Sequence, residues 1–134
     1  MGVQFSWDNP EQSTVRFDLD ADWTWDELRQ VMQKSWHEVS EKPYIVDTIF
    51  VNARPTLPAN AIPHARFMML NRPKNTGVLA LVGANAFTHS MIDTLSKLYK
   101  ALIRRDTTIL YANSLDEARH MLAQKKAERM TRVR

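Results

Sequence analysis

The chain has 134 residues, 44% hydrophobic and 25% charged, with a formal charge of +3, enough for one domain whose core needs no metal or disulfide staple. It contains no cysteine, which excludes disulfide frameworks, thiolate zinc sites, iron–sulfur ligation and cysteine nucleophiles. Three glycines in all are too few to build a Gly-x-Gly-x-x-Gly or Walker phosphate loop.

In chain order, Val3 to Trp7 alternates as a short strand, and Asp8-Asn9-Pro10 closes it with a turn. Thr14 to Leu19 alternates again, with Val15, Phe17 and Leu19 on one face, so the two strands predict a hairpin. Thr24-Trp25-Asp26-Glu27 reads as a capping box, in which the Thr24 hydroxyl accepts from the Glu27 amide and the Glu27 carboxylate returns to the Thr24 amide. Leu28, Val31, Met32, Ser35 and Val39 then mark one face of a helix that ends before Pro43. Tyr44 to Val51 is apolar and β-branched, as in a central strand covered on both faces.

Residues 52–60 form the longest irregular stretch, after which Asn60 is placed to cap a short helix reaching about Asn71, with Pro63 tolerated in its first turn. Gly77 to Gly83 reads as a second buried strand, and Asn85 caps the longest helix. Thr107 to Ala112 is the last strand, and Ser114-Leu115-Asp116-Glu117 opens the closing helix with a second capping box. The expected order is β-β-α-β-α-β-α-β-α, an α/β domain with a mixed, mainly parallel sheet of about five strands and four helices. The domain is expected over residues 1–125, followed by a basic tail over 126–134.

Residues 1–120 carry a net −1 and the last fourteen residues +4, with five bases against Glu128. Such a tail can touch nucleic acid, but no basic–aromatic platform accompanies it, and a solvated helix end is the plainer reading. The N-terminus has no basic region followed by an apolar stretch, although Gly2 with Ser6 fits the bare acylation pattern. No apolar run approaches the roughly 18 residues that span a bilayer. A cytoplasmic location is therefore expected.

Chemistry-bearing residues are sparse. His37, His64, His89 and His120 fall on four different predicted helices, and none forms the i, i+4 pair with glutamate of a zinc helix. Asp18, Asp20 and Asp22 lack the glycine turn and distal glutamate of a calcium loop, and read as a solvated acidic edge. Ser90 and Ser114 sit in no nucleophile elbow. Neither a cofactor nor enzymatic activity is expected.

Two regions stand out. The Gly83-Ala84-Asn85 turn opens a helix whose first amides can hold an anion, and in a parallel sheet it lies beside the 52–60 loop at the carboxyl ends of the strands. That places Arg54, Thr56, Asn60, His64, Asn85 and Phe87 on one candidate binding rim; the alternative is an ordinary helix cap beside a proline-stiffened loop. Trp7, Trp23, Trp25 and Trp36 all fall within the first 36 residues, and either pack as core or anchor an interface.

This order of elements resembles the STAS, or anti-sigma-factor-antagonist-like (SpoIIAA-like), family, and more distantly the CRAL-TRIO lipid-exchange group. The resemblance spans about residues 3–125 and is carried by Tyr44-Ile-Val-Asp47, by Gly77-Val-Leu-Ala-Leu-Val-Gly83 before the long helix, and by Ile109-Leu-Tyr-Ala-Asn-Ser-Leu-Asp-Glu-Ala118. It implies a regulatory or scaffold module acting through protein–protein contact. Exposed aromatic surface and the N-terminal edge hairpin of this chain suggest a homodimer as one form of it. The family's phosphorylatable turn is replaced by Leu57-Pro58-Ala59-Asn60-Ala61, and Thr56 is the nearest hydroxyl. The alternative implied is a small-molecule or lipid-binding domain of the CRAL-TRIO kind, with Ile62, Phe67, Met68 and Met69 lining a pocket for an apolar ligand.

Overall fold

The computed structural model describes residues 2–53, 57–103 and 108–132. The first strand β1 (Val3–Trp7) pairs antiparallel with β2 (Thr14–Leu19), and Phe5 faces Phe17 across the pair. Helix α1 (Trp25–Ser40) leads to β3 (Val46–Asn52), α2 (Ala61–Asn71) to β4 (Thr76–Val82), and α3 (Ala86–Ile103) to β5 (Ile109–Ala112). Helix α4 (Leu115–Arg132) closes the chain. The sheet runs β1-β2-β3-β4-β5, with β2 to β5 all parallel. The expected α/β domain of five strands and four helices is what forms.

The chain steps from β2 to β5 in one direction, and right-handed crossovers then place every connecting helix on the same face. The core clusters agree with this. On one face, Leu28, Met32 and Val39 of α1, Ala61 of α2 and Ile92 of α3 pack with Phe17, Phe50 and Leu81. On the other, Ala118 and Leu122 of α4 pack against Ile49, Val78, Ala80 and Val82. Strand β3 lies at the sheet centre, and its Val46 and Ile49 are fully buried, as its two-sided apolar pattern predicts.

The first capping box is half as expected. The Glu27 amide donates to Thr24 Oγ1 at 3.3 Å, but the Glu27 carboxylate accepts at 2.8 Å from the Gly2 amide. Glu27 therefore ties the start of β1 to the start of α1. In the second box, the Glu117 amide donates to Ser114 Oγ at 3.1 Å.

The residues expected as a basic tail continue α4 as far as Arg132. Arg129 reaches back to Asp47, which is 3% exposed, and its two terminal nitrogens donate to the two carboxylate oxygens at 2.9 Å each. Asp47 Oδ1 also accepts from the Val78 amide at 2.8 Å. One carboxylate thus joins β3, β4 and α4.

Candidate functional site

The parallel run of β3 and β4 brings the turns that follow them to one end of the sheet. Gly83 adopts φ +90, and a Cβ there would come within 2.7 Å of the Asn52 carbonyl oxygen. Only glycine lets the chain leave β4 so close to the end of β3. The loop after β3 is held from below, because Trp25 Nε1 donates to the Pro58 and Ala59 carbonyls at 3.2 and 2.9 Å. Across the gap, the Thr88 amide donates to Asn85 Oδ1 at 2.9 Å and caps α3. Between the two lies a groove of about 380 Å³ whose lining includes Leu57, Asn60, Ile62, Phe87 and Met91 and has no charged side chain among the described residues. Ile62 and Phe87, on its opposite lips, are 56% and 74% exposed.

Of the six residues expected on this rim, Asn60 and Phe87 line the groove. Asn85 is occupied as the α3 cap. Asn60 stands in the left-handed region at φ 68 and makes no side-chain cap bond, so it starts α2 through its backbone only. His64 turns inward and stacks on Trp25, with ring centroids 5.1 Å apart and planes 5° from parallel. Arg54 and Thr56 lie outside the described residues. Leu57, Pro58 and Ile62 also line the groove and belong to the 52–64 loop and helix start expected at the centre of recognition, whereas Met91 lies outside that expectation. Trp23 and Trp25 are core residues, 2% and 7% exposed, and pack edge to face at 4.8 Å.

A second constellation escaped the sequence, which shows His89 only as an isolated histidine. Tyr111, on the edge strand β5, donates to Asp93 Oδ1 at 2.9 Å and stacks on His89, while His89 Nε2 lies 3.4 Å from Asp93 Oδ2. Burial, then the hydrogen bond to Asp93 and its charge, push the Tyr111 phenol well above its usual range. A phenol held protonated donates a hydrogen bond and supplies no base at neutral pH. A group whose folded pKa is raised stabilises the fold fully below its unfolded value of 10.0, and loses that contribution as pH rises above it. Tyr111→Phe is therefore expected to cost about 1 kcal/mol near neutrality, the worth of one such bond. In urea titrations the gap from wild type should close above pH 10.

A further space lies beneath α2. This helix leans on α1 and α3 and barely meets the strands. An apolar cavity of about 150 Å³ remains, floored by Phe50 and Leu81, walled by Trp25 and Met32, and roofed by Ala65 and Met68. Met69 lines it too, whereas Phe67 packs on Trp36 beneath Arg29, and Ile62 belongs to the rim groove.

Among the described residues no group of three or more histidine, aspartate or glutamate side chains could hold a metal ion, and no helix is long and apolar enough to cross a membrane. No family model, curated protein or solved structure matches this chain.

Proposed function

We propose that the chain is a non-enzymatic regulatory or scaffold module of STAS-like type, working in the cytoplasm by binding another protein at the strand-end rim. The observation that carries this reading is the pair Ile62 and Phe87, two large apolar side chains left in solvent on facing lips of a groove with no charged side chain among the described residues. Exposed aromatics beside an apolar recess are the usual anchors of a protein interface. The partner presents one apolar side chain to the groove, flanked by surface that covers Phe87. The loop that corresponds to the family's phosphorylated turn is Leu57-Pro58-Ala59-Asn60-Ala61, which has no hydroxyl. Recognition therefore needs no phosphate on that turn. Trp23 and Trp25 are buried, so the aromatic anchor of the proposed contact is Phe87, and the partner proposed is a different protein.

With the partner recovered from the native host and purified, Phe87→Glu and Ile62→Glu should each weaken binding by about 30-fold, as loss of an interface anchor does. Both side chains are exposed, so folding should be unchanged. Met130→Glu, an equally exposed apolar position on α4, should have no effect. Unchanged affinity in both rim variants would refute the reading, and light scattering that reports a dimer broken by Phe87→Glu would make the partner a second copy.

A further inference from the structure

We propose that the cavity beneath α2 binds one small, uncharged aromatic molecule of one ring or two fused rings. Three observations on separate elements converge on it. Its volume, about 150 Å³, is that of apolar cavities that take up benzene-sized molecules. That size excludes the two-chain lipid that a CRAL-TRIO likeness would imply, and admits a ring. The space also follows from the sequence, because α2 presents Ala65 to the sheet where a larger side chain would fill the gap.

The lining chemistry then selects the ligand. The rings of Trp23, Trp25 and Trp36 offer faces and edges to a π-system, and the thioethers of Met32, Met68 and Met69 adapt to its outline. Asn52 borders the cavity at the carboxyl end of β3, while Arg72 borders it where α2 ends. Leu57 walls both this cavity and the rim groove, and Trp25 both lines the cavity and holds the 58–59 carbonyls. A bound ring would thus touch the residues that set the rim, although the site itself does not depend on the rim's role.

The test is a titration of the full chain, labelled at its methionine methyl carbons, with toluene and with 2-naphthol. Saturable one-to-one shifts are expected at Met32, Met68 and Met69, while Met121 and Met130 of α4 stay still. Ala65→Phe should lower affinity at least about tenfold by filling the space, and Phe87→Glu should leave it unchanged. Shifts that never saturate, or that are as large at Met121 and Met130, would overturn the proposal. So would a folded Ala65→Phe protein with wild-type affinity. If that variant does not fold, the methyl pattern of the wild type decides alone.

Discussion

Trp23→Ala should lower stability by about 4 kcal/mol, the scale of deleting a buried indole. Trp23 is 2% exposed, packs edge to face on Trp25, and donates from Nε1 to Asn52 Oδ1 at 3.2 Å. It joins the end of β3 to the start of α1, so its removal opens the core beneath the rim and enlarges the cavity under α2. For a domain of this length the loss corresponds to roughly 12 °C in melting temperature. Trp23→Phe keeps most of the packing and loses the hydrogen bond, and should cost about 1–2 kcal/mol. Urea unfolding followed by circular dichroism separates the two; a loss below about 1.5 kcal/mol for Trp23→Ala would show that this ring is not part of the packed core.

Asp47→Ala is expected to cost about 3 kcal/mol, near the low end for breaking a buried ion pair because Arg129 keeps 27% of its side chain in solvent. The variant leaves the Arg129 guanidinium without its carboxylate and the Val78 amide without its acceptor. Asp47→Asn retains an oxygen for the Val78 amide and should cost about half as much. Deleting residues 126–134 removes Arg129 and should destabilise by about 2 kcal/mol. Combined with Asp47→Ala it should add less than the two separate losses, because both act through one bond. A silent deletion would mean that the last turns of α4 are the solvated tail their charge suggests.

That pair marks the boundary of what the sequence discloses. Strand and helix positions follow from local signals, and the alternation at Val15, Phe17 and Leu19, the Thr24 and Ser114 caps and the apolar stretch before Gly83 each coincide with an observed element. Interactions between distant segments leave no such mark. Arg129 meets Asp47 across 82 residues, and nothing in a basic C-terminal segment marks Arg129 as an arginine that turns inward. Glu27 fits the capping motif, yet its carboxylate finds the Gly2 amide, because tertiary placement of β1 offers a better buried donor.

The same limit governs the candidate sites. Parallel pairing of β3 and β4 gathers the 57–60 loop and the Gly83 turn, and this could be read from the alternation of strands with helices. Which rim residues face outward could not. Phe87 lies one residue into α3 and Asn85 just before it, and only the helix orientation turns the first to solvent and the second to a cap. The cavity depends on how far α2 stands from the sheet, which the small Ala65 permits but no periodicity reports. Four tryptophans near one terminus are equally compatible with core and interface until the side chains are placed.

Recognition is proposed at the carboxyl ends of the parallel strands. It is tested most directly by placing a photo-cross-linking phenylalanine analogue at Phe87 or at Met130, which are 74% and 65% exposed at opposite ends of the sheet, and irradiating the native host. Position 87 should yield one discrete protein adduct that position 130 does not. Equal adducts from both positions, or an adduct from 130 alone, would contradict it.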